Sequence, residues 1–507
     1  MMGACSVCYT VVVMYENLLR TVMNLSSPEV LVVGDFILDV YLYGDAMKIS
    51  TEAPVPVLKV AEVEYRCGGA GSVAANLATL GAKVDCLGVI GDDQNGEILK
   101  EKLTEHRMDI TGLLEVAGRP TTSKQRLIGL AQHLHRQQLI RVDHESEEPI
   151  PGEVNEAILR AYEDKLPQID IVCLQDYNKG LLGDALCRQM IRLANQAGKK
   201  VLADPSLTSD RSKYAGATVI TPNRKESSAM VGFEVTSTET AAQAADRLLQ
   251  ELELQAVVIT LDKEGAYLKT KDESLLIPTR PRSVYDVTGA GDMVLAMLAI
   301  VLAAGCEYEM SVKLSNIAGG IEVGKFGAAT VTIEEIADEI ANQNRDASGK
   351  IRSLDSLLCE VERHRRQKRT IVFTNGCFDV LHRGHLEYLK FCRRHGDIVV
   401  LGMNSDNSVK VIKGPTRPIN NQNDRAALLA AMEMIDYVTI FEEPDPMNLI
   451  RKVKPDVLVK GEDWAVKGVV GREFVESYGG KVVLAPLVEG KSSTLTIEKM
   501  KSETNSL

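Results

Sequence analysis

The stretch Asp286-Val287-Thr288-Gly289-Ala290-Gly291-Asp292 joins two glycines to a carboxylate where a helix can start. Gly289 and Gly291, with Ala290 between them, let backbone N–H groups approach a transferring phosphoryl, while Asp292 can receive the proton of an attacking hydroxyl. A helix N-cap is the plainer use of such an aspartate. Further along, Thr374-Asn375-Gly376-Cys377-Phe378-Asp379-Val380-Leu381-His382-Arg383-Gly384-His385 follows a predicted strand and opens a helix. His382 and His385 then address one side of the helix start, Gly384 leaves room for a phosphate, and the imidazoles can stabilise charge during in-line displacement at a nucleotide. A structural or zinc-bound histidine is the alternative, but no nearby Cys/His set has metal-ligand spacing.

Other polar groups gather around each motif. Asp35 and Asp39, in Gly34-Asp35-Phe36-Ile37-Leu38-Asp39, stand near a strand end and can accept hydrogen bonds from sugar hydroxyls. Lys124, Arg126, Arg136 and Arg141 place positive charge in a strand-loop context suited to phosphate, although a solvated charged face would use the same residues. In the later half, Lys413, Arg425 and Lys460 can surround a triphosphate and an incoming monophosphate; isolated surface salt bridges are the competing use.

Positioning these groups calls for parallel strands with loops at their carboxyl ends. Val30–Gly34 reads as a buried strand delivering Asp35, and Val84–Ile90, Ile169–Leu174, Lys200–Ala203, Ala217–Thr221 and Ala256–Leu261 follow, alternating with helix-like stretches in an α/β rhythm. A polar, β-rich excursion at Tyr41–Glu64 is expected to form a lid, and the apolar Met293–Ala304 a buried helix behind a ligand loop. A second series at Thr370–Thr374, Ile398–Gly402, Tyr437–Phe441, Val457–Lys460 and Lys481–Leu484 predicts a smaller parallel sheet. The expected organisation is an N-terminal extension at 1–27, in which Tyr15–Leu25 can form a short amphipathic helix, a first domain at 28–333, a helix-rich connector at 334–367, a second domain at 368–500 and a tail at 501–507.

With 507 residues and 45% hydrophobic content, the chain can bury two cores. A net charge of -12 argues against a nucleic-acid partner but leaves room for anionic substrates in locally positive pockets. The basic run Arg363–Arg369 lacks aromatic interleaving and reads as a solvated linker or an interdomain contact. Ten scattered cysteines point to a reducing cytoplasm, and no uncharged apolar run is long enough for a membrane span.

Taken with Gly68-Gly69-Ala70-Gly71-Ser72-Val73-Ala74-Ala75-Asn76 and Thr221-Pro222-Asn223-Arg224-Lys225-Glu226, the Asp286–Asp292 stretch resembles the second signature of the ribokinase-like sugar kinases. The resemblance implies a ribokinase-like α/β domain with a small β lid, and sugar contacts from Asp35, Asp39, Gly69 and Asn76. It also implies that Asn223 and Glu226, which alone would read as a helix cap, organise Mg²⁺ and nucleotide phosphates through water. Asn316, in Asn316-Ile317-Ala318-Gly319-Gly320, matches the family's adenine side and implies ATP. Ile49–Val57, Arg119–Thr122 and Gln137–Asp143 narrow the likeness to the heptose-7-phosphate kinase branch, which gives Lys124, Arg126, Arg136 and Arg141 a substrate phosphate to hold. Lys179, in Gln175-Asp176-Tyr177-Asn178-Lys179-Gly180, follows the branch's phosphate-sugar pattern, with Gln175 unusual. Ser206 stands where the branch commonly has Lys after Asp-Pro, and Asp262 where the nucleotide-side turn commonly has Gly.

The histidine motif, with Gly402–Asp406, Asp456–Asp463 and Glu489–Thr494, resembles the nucleotidyltransferase superfamily, and within it the adenylyltransferase half of the bifunctional heptose-7-phosphate kinase/heptose-1-phosphate adenylyltransferases. This implies a smaller Rossmann-like domain whose nucleotide and phosphate groups meet Thr374, Asn375, Gly376, Phe378, Asn404, Asp406, Lys413, Arg425, Lys460, Ser492, Ser493 and Thr494. The likeness implies ATP and Mg²⁺ in both halves, heptose phosphates as substrates, a separate phosphatase between the two reactions, ADP-heptose for lipopolysaccharide as product, and a homodimer through the kinase domain. No nucleic acid and no membrane partner is expected. A kinase and nucleotidyltransferase acting on another phosphorylated sugar is the catalytic alternative, and a noncatalytic metabolite-binding protein a further one.

Overall fold

The protein is described by a computed structural model over residues 14–131, 135–208, 210–279, 289–325, 327, 329–343 and 347–486. The described residues fall into two compact units, one within Asn24–Ile336 and one joining Met1–Met23 to Ala337–Leu507.

In the first unit nine strands form one sheet in the order Ser274–Ile277, Ala266–Thr270, Ala256–Thr260, Val219–Ile220, Lys200–Asp204, Ile171–Gln175, Glu29–Gly34, Lys83–Gly91 and Asp109–Val116. All pairings are parallel except the two among Ala256–Thr260, Ala266–Thr270 and Ser274–Ile277. Val30–Val33 and Ile171–Gln175 are buried at every position, the environment that selects unbroken apolar runs over alternating ones. The apolar segment before Ala304 is the helix Ala290–Ala303, buried from Asp292 to Leu302 and packed on the helices Ala70–Thr79 and Tyr308–Glu322. Its lack of a polar face is why it reads from sequence as an interior helix.

The lid is larger than the excursion at Tyr41–Glu64. Its four strands run in the order Pro56–Gly69, Phe36–Ile49, Ser123–Ala131 and His135–His144, so half of it arrives from a distant stretch. Tyr41, Tyr43 and Ile128 form a small core on one face. On the other, Val63, Leu42, Leu127 and Ile140 lie opposite one another across all four strands, with Val63 42% and Ile140 54% exposed.

In the second unit five parallel strands run in the order Tyr437–Phe441, Ile398–Asn404, Ile371–Gly376, Val457–Gly461 and Lys481–Ala485. The helix Leu354–Arg366 belongs to this unit's core, where Leu357 and Val361 pack with Ile371, Phe373 and Val400. Its basic end is therefore only partly solvated: Arg366 is exposed, but Arg363 is buried, bonded to Glu360 at 2.9 Å and paired with Asp338, and Arg365 donates to the carbonyls of Val453 and Lys454. Residues 14–23 are helical, with Leu18, Leu19 and Val22 buried, and Ser353 Oγ donates to Glu16 at 3.3 Å. The eight described cysteines are free thiols, and among the described residues no helix is long and apolar enough to cross a membrane.

Candidate active sites

Three adjacent strands of the large sheet end at one place. Asp35 follows Glu29–Gly34, Gln175 closes Ile171–Gln175, and Asp204 closes Lys200–Asp204. The helix Ala290–Ala303 starts beside them. Its N-cap, Gly289, has φ 95°, a left-handed conformation that a Cβ would strain. Met293 N–H makes a bond back to Gly289 O at 3.0 Å, so the N–H groups of Ala290, Gly291 and Asp292 have no intrahelical partner and suit an anion. Asp292 Oδ1 accepts from Gln175 Nε2 at 3.0 Å and from Tyr177 Oη at 3.3 Å, and the Ser72 hydroxyl bonds the same carboxylate. Burial, followed by the charge of Asp204, pushes the Asp292 carboxyl up to about 8. Ionised there, it is a far stronger base than an exposed aspartate.

On the sugar side, Asp35 Oδ2 accepts from the N–H groups of Tyr177 at 2.8 Å and Lys179 at 3.1 Å, and burial with the charge of Asp176 raises its carboxyl to about 6. Gly69 is where Asp35 and the helix Ala70–Thr79 meet: a Cβ would collide with the Asp35 carbonyl oxygen, which accepts from Ala70 N–H at 3.0 Å. Asn76 is buried, and its Oδ1 has no hydrogen-bond partner among the described residues. With Ser72 it lines a cavity of about 360 Å³ bordered by Arg66, Cys67, Lys102 and Thr330. An unpartnered buried acceptor on a cavity wall suits a ligand hydroxyl.

The basic residues separate into different environments. Arg126 is buried against Asp39, Nη1 to Oδ1 at 2.6 Å, and lies over the Tyr41 ring. Lys124 Nζ stands 4.7 Å from the centre of the Tyr177 ring, where burial lowers its proton affinity. Lys179 pairs with Glu145 and Glu147, and the exposed Arg141 forms a two-pronged contact with Asp143 at 2.9 Å. Arg136 lies in the strand His135–His144, but its side chain is outside the described residues. Asn316 Nδ2 donates to Ile277 O at 2.8 Å. Asn223 caps the helix Arg224–Val231, accepting from the N–H groups of Lys225 and Glu226 while Glu226 reaches back to Asn223 N–H at 2.8 Å. Burial, then the charge of Asp204, pushes Glu226 up to about 8.

In the small sheet Ile371–Gly376 is flanked by Ile398–Asn404 on one side and Val457–Gly461 on the other, which makes the crevice at their carboxyl ends a topological switch point. Asn375, Asn404 and Lys460 stand at those ends. Lys460 Nζ bonds Asn375 Oδ1 and lies 5.4 Å from the Trp464 ring, and burial lowers the ammonium to about 8. His382 caps the helix Arg383–Arg393, and its ring stacks on His385 with centroids 4.0 Å apart. Phe378, at φ 46°, sits 5.1 Å from the His385 ring, and a Cβ on Gly376 would press on the Phe378 ring at 3.0 Å. Burial, then His382 and Lys413, lowers His385 to about 4, so this imidazole is neutral at ordinary pH. Thr374 Oγ1 and Tyr388 Oη are 2.6 Å apart. Arg425 is fully enclosed: it donates to the carbonyls of Cys377 at 2.5 Å and Asn404 at 2.9 Å and pairs with Asp406 at 2.7 Å. Arg425 and Asp406 thus brace the loops that follow the strands Ile371–Gly376 and Ile398–Asn404. Ser492, Ser493 and Thr494 lie outside the described residues.

Comparison with known proteins joins the two sites. The profile of the pfkB family carbohydrate kinase matches residues 27–335, and that of the cytidylyltransferase-like family matches residues 373–497. The bifunctional protein HldE of Trichlorobacter lovleyi is 43% identical over 488 residues, covering 96% of this chain and 98% of its own. HldE of Geobacter sulfurreducens is 43% identical over 471 residues, covering 93% and 95%. The chain belongs to the bifunctional HldE family. It therefore carries two catalytic units, a carbohydrate kinase and a nucleotidyltransferase. The crystal structure of phosphofructokinase-2 from Escherichia coli, 18% identical, superposes with TM-score 0.52 over 62% of this chain and 99% of its own, a shared fold for the HldE kinase unit.

Two departures of this sequence from its family's pattern acquire physical accounts. Asp262 sits at φ 52°, in the region glycine favours and aspartate tolerates, and Arg224 Nε donates to its Oδ2 at 3.2 Å. Ser206 is buried and its N–H donates to Tyr214 Oη at 3.1 Å; the cation of this neighbourhood is instead Lys213, 2.5 Å from Asp176. Asn223 and Glu226 fit a hydrated Mg²⁺, since Glu226 is a half-buried carboxylate beside the charge of Asp204. Among the described residues no set of three His, Cys, Asp or Glu is arranged to grip a metal directly, as a water-mediated site does not require one. Ser72, Tyr177, Asp176 and Asp204 complete the kinase site without having been singled out for it. The signal for the last three was their place at strand ends, but only folding shows which ends converge.

Proposed function

We propose that this chain makes ADP-heptose in two ATP-dependent reactions, the first by residues 28–333 and the second by residues 368–500. In the first, D-glycero-β-D-manno-heptose 7-phosphate is phosphorylated at C1. Asp292 takes the proton of the C1 hydroxyl, the C1 oxygen of the sugar bonds the γ-phosphorus of ATP, the bond from that phosphorus to the β,γ-bridging oxygen breaks, and ADP leaves with the 1,7-bisphosphate as product. The N–H groups of the helix start at Ala290, Gly291 and Asp292 stabilise charge on the moving phosphoryl. Asp35 and Asn76 accept sugar hydroxyls, and Lys124 with the lid faces the 7-phosphate. Mg²⁺, held through water by Asn223 and Glu226, supplies neutralisation of the nucleotide phosphates when bound.

After a separate phosphatase removes the 7-phosphate, a phosphate oxygen of heptose 1-phosphate attacks the α-phosphorus of ATP. The bond to the β-phosphate oxygen breaks, pyrophosphate departs, and ADP-heptose remains. His382, His385, Lys413 and Lys460 offset the charge that develops on the phosphates. The product suits lipopolysaccharide assembly, and the setting is the bacterial cytoplasm. The observation that carries this reading is the pairing, in one HldE-length chain, of a buried basic carboxylate at an anion-binding helix start with stacked imidazoles at a sheet's switch point.

The test is to incubate the purified protein with Mg²⁺-ATP and heptose 7-phosphate, locating new phosphate by phosphorus NMR, and separately with heptose 1-phosphate, following pyrophosphate. Phosphate at C1 and release of pyrophosphate are expected. Turnover of another sugar phosphate in preference to the heptose would redirect the substrate assignment, and turnover of none would end it.

A further inference from the structure

Gln175 closes the strand Ile171–Gln175 and is 1% exposed. Its Nε2 donates to two carboxylates at once, Asp204 Oδ2 at 2.9 Å and Asp292 Oδ1 at 3.0 Å. An amide nitrogen carries two hydrogens, so each acceptor receives its own, whereas the flipped amide would turn Oε1 against two acidic groups. Oε1 has no hydrogen-bond partner among the described residues, so it is the two carboxylates that orient this side chain. Behind it, a Cβ on Gly34 would collide with the Gln175 carbonyl oxygen, which keeps the two strand ends in tight register.

The other groups facing Asp292 are the hydroxyls of Ser72 and Tyr177 and the charges of Asp204 and Asp39; no basic side chain among the described residues pairs with Asp204 or Asp292. Two buried carboxylates in one site disfavour each other's ionisation. An ammonium between them would relieve that repulsion but would also weaken the base. A neutral amide orients both and leaves Asp292 basic.

We propose that Gln175 is a positioning residue for phosphoryl transfer, fastening the Asp292 carboxylate to the end of the neighbouring strand and letting Asp292 and Asp204 ionise side by side. The proposal rests on Asp292 being the kinase base.

The full chain carrying Gln175→Leu keeps the volume but loses both donors. Phosphorylation of heptose 7-phosphate by Mg²⁺-ATP is followed from about pH 6 to about pH 9, beside adenylyl transfer to heptose 1-phosphate in the same preparation. The kinase kcat is expected to fall about tenfold or more with KM changed less than about threefold, and the acid limb of the kcat profile to move to higher pH, because the ionised base has lost a donor. Adenylyl transfer stays at the wild-type rate. Adding Asp204→Asn brings the limb back toward lower pH, since the competing charge is gone. Gln175→Asn, too short to reach both carboxylates, gives a smaller shift of the same sign and serves if the leucine variant does not fold. Unchanged kcat and limb, or a lower kcat with an unmoved limb, overturns the proposal. Asp292→Asn separates the two claims. If that variant keeps ordinary turnover, the base assignment fails; if it is inactive while the Gln175 variants behave as wild type, the base stands and the positioning role falls.

Discussion

Asp292 is a carboxyl made basic by its surroundings, and the same burial that suits it to catalysis costs the fold stability. Its native form holds a proton up to about pH 8, far above the 3.8 of an exposed aspartate, so the folded chain binds more protons than the unfolded one between those values. Stability from this group is therefore lost as pH rises from about 4 through about 8. Asp292→Asn should lower kinase turnover by about a hundredfold or more, leave adenylyl transfer intact, and melt above wild type at pH 9, with the difference closing toward pH 4 in calorimetry. In the wild type the kinase kcat/KM should rise with pH toward a limb near 8. His385 shifts the opposite way. Held near 4 by burial, His382 and Lys413, it stays neutral across the neutral range, so His385 should contribute no limb of its own to the adenylyl-transfer rate between about pH 6 and about pH 8. His382→Ala or His385→Ala should reduce pyrophosphate release by about a hundredfold while kinase activity persists. Normal ADP-heptose formation by both variants would remove the imidazoles from the site. These residues were legible because each motif places chemistry beside a glycine. Gln175 and Asp204 were less so, since an amide and an aspartate at strand ends say nothing of one another until the strands are side by side.

Among the elements, the lid depends on a contact between strands distant in sequence. Asp39 of Phe36–Ile49 and Arg126 of Ser123–Ala131 form an ion pair with side chains 5% and 8% exposed. Arg126→Met would strand a buried carboxylate and should cost about 3 to 5 kcal/mol in chemical denaturation, with part recovered by adding Asp39→Asn. A loss near zero would mean that solvent reaches Asp39. Each residue had been assigned a ligand from sequence, and their mutual pairing was hidden because parallel pairing of strands this far apart leaves no local mark. The strands of the two central sheets were legible for the opposite reason: burial on both faces demands unbroken apolar runs such as Val30–Val33. The edge strands Asp109–Val116 and Ser274–Ile277, and Ala266–Thr270 next to the latter, carry more polar residues and left a weaker signal.

For the whole molecule, the division into two units predicts that the reactions can be lost separately, and the helix at 14–23 belongs to the second unit despite preceding the first. Leu18 is 2% exposed, so Leu18→Asp should lower the temperature at which adenylyl transfer is lost while sparing the kinase. Equal loss of both activities would count against that assignment. The apolar row Val63, Leu42, Leu127 and Ile140 is the surface expected to meet a second copy through the kinase lid. Ile140→Glu should convert a dimer to a monomer in sedimentation; a wild-type monomer would dismiss the row as an interface.

Sequence alone determined the α/β class, the two catalytic units and the two motifs that carry their candidate chemistry. Those properties depend on local spacing: glycines beside an aspartate, histidines one helical turn apart, apolar runs of strand length. Tertiary structure decided which strand ends meet, that Gln175 bridges Asp204 and Asp292, that Arg126 answers Asp39, that Arg425 braces loops, and that the run beginning at Arg363 is partly buried in an ionic network. The physical reason is that a polar side chain must find its partner wherever folding removes it from water, and that partner is set by topology over distances no local pattern spans.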